Sequence, residues 1–183
     1  MSSSTSRVFR TVVALGMLVW LSGCAQPTDP KNMVAAPPPA NAADFPAPLH
    51  HAMCARNVTG GEETNPLWIS KVNNQDFHTA LAASLDAAGL AGPPTGCTYP
   101  IDANLLGLSQ PSAGFDMEVT SHVNYKVYDA AGQPVLLETI NAPYTATVSD
   151  AFVGVERLKL ANEGSIRASI SQFLDKLRAA KLP

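Results

Sequence analysis

The chain has 183 residues, of which 46% are hydrophobic, 15% charged and 7% aromatic, and its formal charge is −3. That length bounds one domain of ordinary size, and the light, slightly acidic charge excludes a nucleic-acid binder, which needs a basic face. There is no heptad array, collagen period or internal repeat, which removes the fibrous and solenoid classes.

Arg7 and Arg10 precede an apolar run from Thr11 to Trp20, which ends in Leu21-Ser22-Gly23-Cys24. A cationic start, a short apolar middle and small residues at the cut make a secretory signal. The run is too short for a bilayer span, which takes about 20 residues. An ordinary secretory signal with a chance cysteine is the plain alternative. Leu21-Ser22-Gly23-Cys24 resembles the lipobox of bacterial lipoproteins. The resemblance implies that Cys24 receives a diacylglyceryl group, becomes the first mature residue and is then acylated with a fatty acid such as palmitate. Several acyl chains anchor stably, because each buried methylene contributes about 0.8 kcal/mol and one chain alone is marginal. The next residue is Ala25 rather than aspartate. By similarity to enterobacterial lipoproteins this implies the outer membrane, lipid-anchored and facing the periplasm, with the cell surface as the alternative. Loss of Arg7 and Arg10 with the leader takes the charge to −5, so the membrane partner is held through acyl chains on Cys24 and not by charge.

Ala25 to His50 contains seven prolines and seven alanines, including Pro37-Pro38-Pro39, and no hydrophobic period. Such a stretch buries too little apolar area to offset its ordering and is expected to stay extended. In polyproline geometry it would reach roughly 80 Å. The expected division is therefore a signal peptide over 1–23, a lipidated cysteine and Pro/Ala tether over 24–50, and a folded domain over 51–183.

Ala52 to Thr59 predicts a short strand ended by Gly60-Gly61, followed by a loop to Lys71. Asn73 caps a helix from Asn74 to Ala88, with Phe77, Leu81, Leu85 and Ala88 at helical spacing. Gly89 is its stop. Tyr99, Ile101, Ala103 and Leu105 alternate as a strand. From Asp116 to Tyr128 the alternation is clearest. Met117, Val119, Val123, Tyr125 and Val127 face one side, and Glu118, Thr120, His122, Asn124 and Lys126 the other. Asp129 to Gly132 turns the chain into a partner strand over Val135 to Val148. The apolar side switches between Leu137 and Ile140, which predicts a bulge near Glu138-Thr139, and Pro143 favours a sheet edge. Asp150 is the expected cap of a last helix whose apolar face includes Phe152, Val155, Ile166, Ile170, Phe173 and Leu177, with Gly154 and Gly164 both permitting close approach to the sheet. The fold class is α+β: a single mostly antiparallel sheet in βαβββα order with two helices on one face.

Cys54 and Cys97 form an even pair in an oxidising compartment. If the first two strands are parallel neighbours, both cysteines sit near the N-terminal strand ends, which is compatible with one disulfide; two buried free thiols are the alternative. His50, His51 and Cys54 have a metal-like spacing, but no further ligands lie nearby, and no metal or other cofactor is expected. Glu62-Glu63 are adjacent acids of the kind solvent usually covers. The nucleophile turn, the P-loop and the zinc-protease motif are absent. A hydrolase would need His122 beside a serine and an acid. Trp68 and Ile69 are the candidate partner contact, as large apolar residues in a loop, unless Trp68 folds back to cap the core. The polar strand face of Thr120, His122, Asn124 and Lys126 could pair with a partner's surface, with a simply solvated face as the plain and commoner alternative.

The βαβββα order after a lipobox resembles small periplasm-facing lipoproteins of Gram-negative bacteria, such as the lipopolysaccharide-assembly lipoprotein and the auxiliary lipoproteins of lipid transporters. The resemblance implies a non-enzymatic accessory or assembly factor of a cell-envelope protein complex. The alternative is a periplasmic lipoprotein that binds a lipid or small ligand.

Overall fold

The computed structural model describes residues 24–36, 45–67 and 69–181. The leader with Leu21-Ser22-Gly23, the Pro37-Pro38-Pro39 run and Trp68 lie outside the described residues. The elements are β1 (Met53–Thr59), α1 (Asn74–Ala87), β2 (Tyr99–Ser109), β3 (Met117–Tyr128), β4 (Pro134–Ala146) and α2 (Gly154–Ala179). The sheet runs β1-β2-β3-β4, with β1 parallel to β2 and the other pairs antiparallel. This is the expected α+β arrangement, with both helices on one face.

Local chemistry places the first helix. The Asn73 side chain accepts the Asp76 amide at 2.7 Å, and Gly89 leaves the helix at φ +71°, a left-handed conformation that costs glycine least. Phe77, Ala80, Leu81 and Leu85 are buried beneath it. The core centres on Tyr125 of β3. Its ring stacks on Phe173 at 4.2 Å, meets Phe77 edge-on at 6.4 Å, and its hydroxyl pairs with Ser169 at 3.0 Å. Every second residue of β3 from Met117 to Val127 is buried, Ser121 included, because its hydroxyl donates to the Ser165 carbonyl of α2.

Two boundaries differ from the sequence reading. The hairpin bulge is at Val135, between the pairs Val127–Leu136 and Tyr128–Pro134, not at Glu138-Thr139. Leu136, Glu138 and Ile140 therefore share the helix side, where Glu138 pairs with Lys176 at 3.4 Å, and Leu137 points to solvent. A long charged side chain at the sheet edge satisfied an apolar-side position, which residue-type alternation does not anticipate. The second boundary is the start of α2. Asp150 caps its own turn, accepting the Thr147 amide and hydroxyl at 2.7 and 2.9 Å, and the helix begins at Gly154 after Val153. Phe152 falls outside the helix and is exposed.

The expected tether is packed wherever it is described. Ala25, Thr28, Met33 and Ala35 are buried, and Pro30–Met33 forms a 3-10 turn capped by Asp29. Hydrogen bonds to both helices hold the segment in place, among them Thr28 to Asp76 of α1 at 3.1 Å and Arg167 of α2 to the Asn32 carbonyl. The Asp29 amide and Asn32 side chain donate to Glu163 of α2 at 2.7 and 2.9 Å, and the Ala35 amide donates to Ser84 of α1 at 2.9 Å. Phe45 and Leu49 are buried as well. A few well-placed apolar side chains and amides are enough to dock a segment that lacks any hydrophobic period.

A β-carbon at Gly164 would stand 2.2 Å from the Tyr144 ring. One at Gly154 would meet nothing closer than 3.7 Å. We expect Gly164→Ala to lower the urea unfolding free energy by about 1–3 kcal/mol through overpacking. Gly154→Ala should change it by less than about 0.5 kcal/mol.

Candidate functional site

The face of the sheet away from the helices carries polar side chains on all four strands, with Leu137 and the bulge residue Leu106 exposed among them. On β1 and β2, Arg56 grips Asp102 with both Nε and Nη2, at 2.8 and 2.7 Å, and the Asn57 amide donates to the same carboxylate at 3.1 Å. The Arg56 guanidinium also lies 4.4 Å from the centre of the Tyr128 ring. Arg56 holds the Asp102 carboxyl below the usual carboxylate range by donating to its charged form. Thr59 donates to Asn104 at 3.2 Å, and Asn124 on β3 donates to Thr139 on β4 at 2.9 Å. Between β1 and β3 these side chains line an open cleft of about 380 Å³, walled by Asn57, Thr59, Asp102, Asn104, Asn124 and Lys126. Its lining of amides, a hydroxyl, one bound carboxylate and the Lys126 ammonium, with Val58, Ala103 and Tyr128 beside them, suits hydrogen bonding to a polar surface or ligand.

Further along the same face, His122 bridges two strands. Its Nδ1 lies 2.7 Å from Asn141 Oδ1 on β4, and its Nε2 lies 2.9 Å from Ser109 Oγ on β2. An amide oxygen only accepts, so Nδ1 carries a proton, and in the neutral tautomer this leaves Nε2 to accept from the serine hydroxyl. This is the polarity of a serine–histidine dyad, but the third member is a neutral amide rather than an acid, so it supplies no charge to stabilise an imidazolium. Ser109 and Asn141 are exposed on an open face, and neither lines the cleft. The juxtaposition depends on an extra residue, Leu106, between the pairs Leu105–Val123 and Gly107–His122. Without that bulge the alternation of β2 would send Ser109 to the core side.

The other sequence-predicted residues are scattered. Cys54 and Cys97 are joined in a disulfide, with Cα atoms 6.0 Å apart, at the N-terminal ends of the parallel pair. Cys24 is exposed and outside that bond. His50 pairs with the Phe45 carbonyl and His78 with the Ala55 carbonyl, at 3.2 and 3.0 Å, while His51 is exposed in a left-handed turn. Among the described residues, no three His, Cys, Asp or Glu side chains converge as metal ligands. Glu62 pairs with Lys71 at 3.4 Å, and Glu63 is exposed. Ile69 is exposed beside the still more exposed Leu67. Sequence reasoning missed Arg56, Asp102, Ser109 and Asn141, whose adjacency is created by strand register alone.

No protein-family model matches the chain, and no curated protein matches it in sequence. Solved structures do. A Xanthomonas campestris protein assigned to DUF330 superposes with a TM-score of 0.53 at 13% identity, over 84% of this chain and 93% of that one. A minor lipoprotein of Acinetobacter baumannii gives 0.46 at 13% identity, over 73% and 97%. A candidate lipoprotein of Caulobacter crescentus gives 0.39 at 18% identity, over 54% and 78%. The Xanthomonas protein shares the fold; the other two superpose too loosely to establish it. Among the described residues, no helix is long and apolar enough to cross a membrane.

The depressed Asp102 carboxyl fixes the sign of a pH effect. The stability Asp102 adds is present in full above the pH where an unfolded aspartate ionises, about 4, and is lost as pH falls through its lower folded value. Wild type and Asp102→Asn should therefore differ in urea midpoint at neutral pH and converge in acid. The difference should be no larger than about 1 kcal/mol, because solvent screens a partly exposed pair.

Proposed function

We propose that this protein is a lipid-anchored lipoprotein of the bacterial outer membrane, facing the periplasm, and that it serves a cell-envelope complex as a non-enzymatic accessory or assembly factor. Cys24 carries the acyl chains, and the open sheet face docks the partner. The observation that carries this reading is the uncovered polar face, presented by a sheet whose other side is closed by two helices. Its ordered cross-strand ladders offer amide and hydroxyl groups at little further entropic cost to a partner. The lipobox, the exposed Cys24 and the resemblance to small Gram-negative envelope lipoproteins support the anchoring half. Two-dimensional confinement raises effective concentration, so a weak docking surface suffices.

A second reading, binding of a small polar ligand, rests on the 380 Å³ cleft. Its lining favours a hydroxylated or amide-bearing molecule over an acyl chain.

The test is crosslinking in intact cells, followed by capture in mild detergent and mass spectrometry, comparing wild type with Asn124→Arg, Lys126→Glu and Cys24→Ala. Recovery of one defined envelope complex, lost with the face variants, is the expected result. Recovery of bulk membrane proteins alone would overturn the accessory role, and unchanged membrane fractionation of Cys24→Ala would overturn the anchor. A ligand found by native mass spectrometry and lost in Asn124→Arg would favour the second reading. The non-enzymatic part has its own check. Ser109 should take up a fluorophosphonate probe no faster than the Ser109→Ala background, and selective labelling would revive the hydrolase.

A further inference from the structure

Three loops leave the same end of the sheet. Because β1 and β2 are parallel and the remaining pairs antiparallel, the β1–α1 loop, the β2–β3 loop and the β4–α2 loop all emerge there. Large exposed apolar side chains gather in these loops: Leu67 and Ile69 in the first, Phe115 in the second, and Val148, Phe152 and Val153 in the third. Leu67, Phe115 and Phe152 are 83%, 85% and 88% exposed. At the opposite end, no large hydrophobic in the described parts of the 88–98 and 129–133 connections is exposed in this way.

The loops are tied together rather than independent. The buried Arg157 guanidinium donates to the Ala151 and Phe152 carbonyls at 2.8 and 2.7 Å and to the Gly114 carbonyl at 3.4 Å. The Ser70 carbonyl accepts from Asn162 at 2.8 Å and from Gln110 at 3.1 Å.

Cys24 is fixed at this same end. The Ala25 amide donates to the Pro66 carbonyl at 2.9 Å, Ser70 donates to the Gln26 carbonyl at 3.0 Å, and Ala25 itself is buried. The lipid attachment point therefore directly adjoins a residue of the folded body, close to Leu67 in the loop before α1.

We propose that this end of the domain, with Phe115, Phe152 and Leu67 as its tips, seats directly in the bilayer that holds the Cys24 acyl chains. The inference rests on the anchoring reading above and replaces the long spacer with a docked base. Its occupant is fixed by where the anchor lies and by charge. The ionic groups bordering the tips are Glu62, Glu63, Asp116, Asp150 and Glu156, against Lys71 and Lys159, engaged by Glu62 and Glu156, and Arg157, which is buried and turned onto the loop carbonyls, so the exposed balance is acidic. Such a rim has no attraction for anionic headgroups, so insertion is apolar and insensitive to salt.

The test begins with the intact mass of the full-length protein expressed in a Gram-negative host, which reports whether Cys24 is acylated. Hydrogen exchange is then compared between the protein in phosphatidylcholine nanodiscs and Cys24→Ala protein in buffer. Amides in 64–67, 111–116 and 147–153 should slow about tenfold or more on the bilayer, with 93–98 and 129–133 unchanged. Phe115→Ser/Phe152→Ser should abolish the slowing while acylation persists. Leu137→Ser, at the other end of the sheet, should leave it intact. All three replace exposed side chains, and circular dichroism checks their folding. Equal exchange at both ends of an acylated protein, or protection only on anionic bilayers, would overturn the proposal and leave the anchor standing. If Cys24 is unmodified, the anchor falls instead. The unmodified protein mixed with phosphatidylcholine vesicles then decides the matter: protection of the loops supports an apolar base, and its absence overturns it.

Discussion

The rest of the molecule depends on three polar side chains that α2 buries within two turns: Arg157, Asn162 and Glu163. Buried polar groups must be paired or they cost several kcal/mol. Each therefore recruits backbone from elsewhere. Arg157 takes carbonyls from the β2–β3 and β4–α2 loops, Asn162 takes one from the loop before α1, and Glu163 takes the amide of Asp29. Burial pushes the Glu163 carboxyl up, while the Asp29 amide, the Asn32 side chain and Lys159 oppose the shift. A segment that has little apolar surface of its own becomes ordered because it satisfies a group the core has already buried.

The two ends of the sheet are consequently built from different chemistry. At one end the loops are held by that polar knot and expose apolar tips beside Cys24. At the other, the Cys54–Cys97 disulfide staples β1 to the connection before β2, and shortening the unfolded loop this way contributes about 4 kcal/mol at most. A covalent staple of this kind persists in an oxidising compartment, which agrees with the proposed lipobox leader. The hydrogen-bonded knot leaves the loop tips bare, because its donors and acceptors are all turned inward.

Much of the fold was legible because its signals are local. The alternation of β3, the Asn73 cap and the Gly89 stop each need only a few neighbouring residues to be read, whereas of the two glycines expected to lie close to the sheet only Gly164 does. Where the reading failed, the deciding partner was distant in every case but one, the local turn at Asp150. Asp150 has the composition of a helix cap but spends its carboxylate on Thr147. Glu138 occupies an apolar-side position because Lys176 meets it there. Residues 24–36 look like a linker until Glu163, over 130 residues away in sequence, is placed beside Asp29. The site was harder still. His122 was visible as a lone histidine on a polar face, but Ser109 joins it only through the bulge at Leu106, and Asn141 only through the β3–β4 register. Cross-strand neighbours follow from register, and a one-residue slip moves a side chain to the other face.

The packed N-terminal segment also changes what the protein can reach. A free tether would let the domain sample a wide shell around its anchor and meet a partner in many orientations. With Ala25 fixed to the loop that precedes α1, an anchor at Cys24 of the kind proposed above would set the strands rising from the membrane, with the polar face alongside its normal. A partner of that face would then meet it from the side, at the height of the cleft between β1 and β3. Orientation, rather than reach, is what such an anchor would supply. A preoriented weak surface loses less rotational freedom on binding than a tethered one, so the same ladder of amides and hydroxyls would hold a partner more tightly.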